Sequence, residues 1–290
     1  MSTQITTSFV EQYSSNVSML AQQMGSKLRG AVDVENIRGK NAFFDQIGVT
    51  AAQVRSSRHG NTPQINTPHS RRRVSLADYE WADLIDDQDK VRMLVDPTSN
   101  YAKAAAAAMN RAIDDVIIAA FDADAATGVA GGTTTALPST SKFATSNQTD
   151  GMTIAKLRQA KFFFDNGSVD PSLKRFVVAG PKQIQDLLAT TEVTSADFNT
   201  VRALAAGEVS SFLGFEFIMS NRLSLDATNT DDRKCFAFTE DAIKLAIGKD
   251  VAAKITERAD KSYATQVYYC MSIGATRMEE EKVFLIPCNE

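Results

Sequence analysis

Asp96-Pro97-Thr98-Ser99-Asn100-Tyr101-Ala102-Lys103-Ala104-Ala105-Ala106-Ala107-Ala108-Met109-Asn110-Arg111-Ala112-Ile113-Asp114-Asp115 opens the longest stretch with one consistent periodicity. It predicts a single helix over residues 96–127. Asp96 can cap it, and Pro97 suits its first turn. The run Ala104 to Ala108 has the highest helix propensity available. Met109, Ile113, Val116, Ile117, Ala120 and Phe121 recur at helical spacing as one apolar stripe, and Gly128 offers a stop. At 1.5 Å per residue the rod is roughly 40 Å long. That length suits a helix that spans the molecule or acts as its spine. Asp114, Asp115, Asp122 and Asp124 read as a solvated or salt-bridged face rather than a carboxylate metal site.

Upstream of the helix, charge separates into two blocks. Residues 78–96 hold Asp78, Glu80, Asp83, Asp86, Asp87, Asp89 and Asp96 against Lys90 and Arg92. Residues 51–73 hold Arg55, Arg58, Arg71, Arg72 and Arg73 and no acid. No aromatic interleaves the arginines, which argues against base stacking. The opposed blocks point instead to pairing between copies. The candidate contact residues are Arg55, Arg58, Arg71, Arg72 and Arg73 against Asp83, Asp86, Asp87 and Asp89. Residues 49–81 read as extended, with turn chemistry at Gly60-Asn61-Thr62-Pro63 and Asn66-Thr67-Pro68. Val74 and Leu76, then Tyr79 and Trp81, alternate with a phase slip near Ala77-Asp78 that suggests a bulge. Such a polar ribbon has no core of its own. Before it, Phe9, Tyr13, Val17, Leu20, Met24 and Leu28 share a helical face in an arm that also needs something to lie on.

Downstream, a polar loop through Asn147 lacks the phosphate-binding G-x-x-x-x-G-K-[ST] pattern. Elements then alternate. Helices are expected at Thr153–Asn166, Pro181–Thr190 and Ser195–Ala206. Strands are expected at Arg175–Ala179, Phe215–Met219, Cys235–Phe238, Ile243–Ile247, Tyr263–Ile273 and Val283–Ile286. Helices followed by many strands argue α+β with an antiparallel or mixed sheet.

Composition narrows the function. Of 290 residues 43% are apolar and 23% charged, with net charge −4, which suits a globular chain and excludes wholesale disorder. No stretch is apolar enough for a membrane span, and the first residues carry no secretory pattern. Cys235, Cys270 and Cys288 form no C-x-x-C pair and read as reduced thiols in a cytosol. The two histidines, His59 and His69, sit with no Cys or acid in their segment. No catalytic constellation emerges, so the expectation is a non-enzyme without metal or cofactor.

Several stretches, in this order and spacing, resemble the major capsid protein of tailed, podophage-like bacteriophages, with the Hong Kong 97-type fold. They are Val95-Asp96-Pro97-Thr98-Ser99-Asn100-Tyr101, Met109-Asn110-Arg111-Ala112-Ile113-Asp114-Asp115, Ala126-Thr127-Gly128 and Met152-Thr153-Ile154-Ala155-Lys156-Leu157. Pro181-Lys182-Gln183-Ile184-Gln185-Asp186-Leu187-Leu188, Thr194-Ser195-Ala196-Asp197-Phe198-Asn199-Thr200-Val201 and Phe212-Leu213-Gly214-Phe215-Glu216-Phe217 follow. The resemblance covers residues ~80 to 290 well, and the arm and ribbon in position and character. It implies an N-arm over 1–48 and an extended loop over 49–82. It also implies a peripheral domain over 83–150 and 262–290 with the spine helix, and an axial domain over 151–261. Family members form hexamers and pentamers that close an icosahedral shell around double-stranded DNA, in the virion, after assembly in the host bacterial cytoplasm. With about 50 residues before the ribbon, the resemblance implies a separate scaffolding protein, and a portal, as assembly partners, and no membrane. Some members cross-link through an extended-loop lysine and a neighbour's asparagine. Residues 49–81 have no lysine, so a non-covalent shell is implied. Two other classes fit the same residues: an encapsulin-like non-viral shell, and a DNA-binding protein using Arg55 to Arg73.

Overall fold

The computed structural model describes residues 21–55, 57–86, 98–143, 150–189, 211–226 and 231–290. In chain order the strands are β1 (Asp33–Asn36), β2 (Asn41–Ile47), β3 (His69–Ser75) and β4 (Ala77–Ile85). The long helix α1 (Thr98–Asp122) precedes the short strands β5 (Ala125–Thr127) and β6 (Thr133–Thr135). Then come α2 (Ile154–Asn166), β7 (Arg175–Ala179), α3 (Pro181–Leu188), β8 (Ser211–Phe212) and β9 (Phe215–Met219). The chain ends with β10 (Asp232–Thr239), β11 (Ile243–Arg258), β12 (Ala264–Arg277) and β13 (Val283–Asn289). Three sheets result, in the orders β1-β11-β12-β4, β13-β10-β7-β9-β8 and β2-β3-β5-β6. Pairing is mixed, since β7 runs parallel to β9 while β10 runs antiparallel to β7 and β13. The class is α+β, as the element pattern predicts.

The chain divides into two compact units. Of the described residues, one holds 21–25, 78–86, 98–112 and 249–271; the other holds 26–55, 57–77, 113–143, 150–189, 211–226, 231–248 and 272–290. The second contains the core. Phe121, Phe164, Phe215, Phe236, Phe238 and Phe284 are buried there. Phe121 stacks on Phe236 with centroids 4.9 Å apart and tilts against Phe238 at 4.7 Å. β7 is buried at all five positions, which is why Phe176–Ala179 reads as a continuous apolar run rather than an alternation. Thr153 caps α2 by accepting the Lys156 N–H, and Gly167 closes it. In the first unit Tyr268 of β12 donates to Glu80 of β4 at 3.0 Å, and Lys249 of β11 donates to Cys270 of β12 at 3.0 Å.

Four expectations change. The long helix stops at Asp122, and Ala125–Thr127 is a strand. Gly128, at φ +88°, lies in the turn between β5 and β6 instead of ending the helix. The cause is a buried side chain distant in sequence. Arg277, 0% exposed, donates to the carbonyls of Phe121 and Ala123 at 2.8 and 2.9 Å and to that of Thr135 at 3.0 Å. It satisfies the orphan carbonyls of the last turn, so no glycine is needed there. The expected bulge near Ala77-Asp78 is a change of sheet, since β3 belongs to one sheet and β4 to another, with Leu76 between them. The ribbon is paired only at its base, where β2 and β3 form an antiparallel hairpin from Asn41↔Ser75 to Ile47↔His69. Residues 48–68 carry no strand among those described. Finally, residues 21–28 are not helical. The earlier part of the predicted arm helix, the Asp96-Pro97 cap and the helix Ser195–Ala206 lie outside the described residues.

Candidate assembly interface

The arm is tied down by a carboxylate. Asp114 is fully buried, not solvated as its place in an acidic run suggests. It accepts the Ser26 hydroxyl at 2.5 Å and the backbone N–H groups of Lys27 and Leu28 at 3.0 and 3.1 Å. An amide drawn to a carboxylate cannot also bond its i−4 carbonyl, so the helical period of Met24 and Leu28 is overridden here. Within the other unit, Asn110 donates to the Met24 carbonyl and Arg111 to the Gln22 side chain and the Gln23 carbonyl. The remaining acids behave as the sequence suggests. Asp115 pairs with Arg222, and Asp122 with Lys234 and Lys142. Burial works against the Asp122 anion, but Lys234 and then Lys142 hold its carboxyl below the usual range.

The arginines meet different fates. Arg71 forms a two-pronged pair with Asp45 across the β2–β3 hairpin, and that contact holds the Asp45 carboxyl below its ordinary value. Arg72, 7% exposed, turns inward. Its Nε donates to the Met278 carbonyl at 2.9 Å, and Nη2 reaches both oxygens of Glu280 at 2.7 Å. The side chain of Arg73 lies under the β5–β6 turn, 2.6 Å from where a Cβ on Gly131 would stand; with φ at +66°, that position requires glycine. Arg55 closes its own loop by donating to the carbonyls of Ser57 and Arg58. Arg58 and His59 are exposed. The expected single cationic face is therefore divided. Period-2 alternation along β3 sends Arg72 to the same side as Val74 and leaves Arg71 and Arg73 on the other. Of the acids, Asp83 is half-buried and accepts the Leu84 N–H, and Asp86 is exposed. Asp87 and Asp89 lie outside the described residues.

The ribbon also carries apolar side chains in the open. Ile47 is 72% exposed, Val49 97% and Val54 96%. Apolar side chains that a polar ribbon buries nowhere on its own body mark a surface for association. Among the described residues no three His, Cys, Asp or Glu side chains gather as a metal site, and no helix is long and apolar enough to cross a membrane. Site and fold together define a subunit of an assembly. The comparisons give its family. The sequence model of the phage capsid protein family matches residues 5–290, and the chain belongs to that family. Its role is structural. No curated protein matches the chain. Among solved structures it is similar to a chain of the cyanophage P-SCSP1u capsid, at 17% identity over 97% of this chain and 93% of that one, with a TM-score of 0.74. It is also similar to a chain of Mycobacterium phage Che8, at 18% identity over 96% and 97%, TM-score 0.69. A chain of the cyanophage Pam1 capsid matches at 14% identity over 98% and 97%, TM-score 0.69. The fold expected from the sequence is the fold of these capsid proteins.

Proposed function

We propose that the chain is the major shell subunit of a tailed phage, arranged as hexamers and pentamers that close an icosahedral shell around double-stranded DNA. The observation that carries this is the ribbon. Val49 and Val54 are almost fully exposed on a loop whose only pairing among the described residues is at its base, and burying them needs a second copy. In this frame residues 1–48 supply the N-arm, 49–82 the extended loop, 83–150 and 262–290 the peripheral domain, and 151–261 the axial domain. Scaffolding protein, portal and assembly in the host cytoplasm belong to the same proposal. Packaged DNA would meet the inner face without sequence preference.

The inter-subunit charge contacts are narrowed. Arg72 is engaged by Glu280 of its own chain, and Arg71 by Asp45. Arg58 and Arg73, with Arg55 as a loop former, remain to meet Asp83, Asp86, Asp87 and Asp89 of a neighbour. A single exposed pair contributes about 0–1 kcal/mol, so apolar burial has to supply most of the shell's stability. Electron microscopy of particles from the full chain tests the proposal. Hexameric and pentameric capsomers with the ribbon laid on the adjacent subunit are expected. Particles without capsomer symmetry, or a ribbon folded onto its own subunit, would refute it. Boiled particles should run as one band at the monomer mass, because residues 49–81 offer no lysine for a cross-link; a ladder surviving reductant would contradict that.

A further inference from the structure

The cysteine of the first unit differs from the two in the core. Cys235 and Cys288 are 0% exposed, and the Cys288 Sγ lies 3.9 Å from the Met152 sulfur. Thiols buried in that way are inert. Cys270 of β12 sits at a rim, 9% exposed. The Lys249 ammonium of the adjoining strand β11 donates to its Sγ at 3.0 Å. Lys249 is itself exposed, and this sulfur is its one hydrogen-bond partner among the described residues. The other groups around the pair come from β4 and β12. Tyr268 donates to Glu80 at 3.0 Å; Glu80 first, with Cys270 beside it, pushes the phenol up to about 12, so it stays protonated. The sulfur first, and then Asp78, hold the Lys249 amine above its ordinary value. The carboxylates of Asp78 and Glu80 keep small anionic thiols away from this rim, which leaves the lysine as the reaction partner of Cys270.

We propose that Lys249 and Cys270 form an oxidative modification site, at which dioxygen joins the amine nitrogen to the sulfur through a single bridging oxygen. The 3.0 Å separation is near the span of one bridging atom, so little movement is needed. Atoms and electrons balance. The S–H bond, two N–H bonds of the ammonium and the O–O bond break, while one S–O and one N–O bond form. The second oxygen leaves as water, and one proton goes to solvent. Sulfur and nitrogen each give two electrons, and dioxygen takes all four. The bridge clips β11 to β12 around residues 250–269. It lies within one chain, so boiled particles still run at the monomer mass. A reducing cytosol keeps the pair open, and a shell outside its cell meets dioxygen without that reductant. That timing holds only for a shell subunit, whereas the bridge needs only the subunit.

The test uses the full-length chain, purified under reductant and exchanged into air-saturated buffer at mildly alkaline pH, or into the same buffer under argon. Intact mass and peptide maps are then read. Under air the mass should rise by about 14 Da, one oxygen less two hydrogens, with two peptides joined through Lys249 and Cys270. Argon should prevent the gain, and dithiothreitol should reverse it. Lys249→Arg keeps the charge on an exposed side chain, but its guanidinium is a poor nucleophile. Cys270→Ser lacks the sulfur. Neither variant should gain that mass, and the first decides the matter if the second folds poorly. An unchanged mass, a gain of about 16 Da confined to Cys270, or the same joined mass in Lys249→Arg would overturn the site. Particle formation is not part of the readout, so the bridge and the shell reading can fail separately.

Discussion

The β13-β10-β7 part of the core and the ribbon beyond the β2–β3 base belong to the same chain but solve opposite problems. Cys235, Phe236, Ala237 and Phe238 of β10 are at most 1% exposed, as are Val177 and Val178 of β7, and partners on both sides come from their own subunit. At about 25 cal/mol per Å² of apolar surface removed from water, such strands stabilise themselves. The described residues of 48–68 have no ladder, and their valines face solvent. The difference teaches that this chain is complete in one region and depends on association in the other. The comparison can be broken from either side.

The largest effect is expected where the core meets the ribbon root. Arg277→Met removes the donor for three carbonyls and leaves Arg72 alone with Glu280. A loss of about 3–5 kcal/mol of subunit stability is expected in urea unfolding. A neutral result would mean the helix end is held some other way. Next, Asp114→Ala frees the hydroxyl of Ser26 and the amides of Lys27 and Leu28. It should cost about 2–3 kcal/mol and accelerate hydrogen exchange at those two amides, with β10 unaffected.

The ribbon should respond in the reverse sense. Val49→Asp with Val54→Asp should change subunit stability by no more than about 0.5 kcal/mol, yet abolish closed particles in sedimentation. Replacing Arg71, Arg72 and Arg73 together by Glu is a poor test of the same idea, because a glutamate at 72 would face Glu280 and disturb the fold. The smallest effect is electrostatic. The Asp122 carboxyl is lowered from 3.8, so the folded state binds its proton less readily than the unfolded chain. Its contribution is present above that value and fades as pH falls through the folded one. Denaturant midpoints between pH 5 and 2.5 should drop more in the native chain than in Asp122→Asn.

Much of this was legible before the structure. β7 matches its predicted bounds because the four apolar residues Phe176 to Ala179, set between turns, leave no alternative. α2 matches because Thr153 and Gly167 are local signals for both ends. The failures share a cause. α1 ends at Asp122 because Arg277 caps it from more than 150 residues away, and residues 21–28 avoid helix because Asp114 takes their amides. Neither contact leaves a trace in local periodicity. The arginine block looked uniform because composition counts charges, whereas strand geometry sends alternate side chains to opposite faces. Asp114 could have been singled out by its place, one residue after the buried stripe position Ile113, where a carboxylate must find donors.

The central claim is that the body folds alone while the ribbon waits for a neighbour. Hydrogen exchange measured on the free subunit and on assembled particles tests it most directly. Amides of β10 and β13 should be protected in both states. Those of residues 48–68 should exchange at nearly unfolded rates in the free subunit and slow at least a hundredfold in particles, because burial and new hydrogen bonds raise the opening free energy by about 3 kcal/mol or more. A ribbon already protected in the free subunit, or one still unprotected in closed particles, would contradict the account.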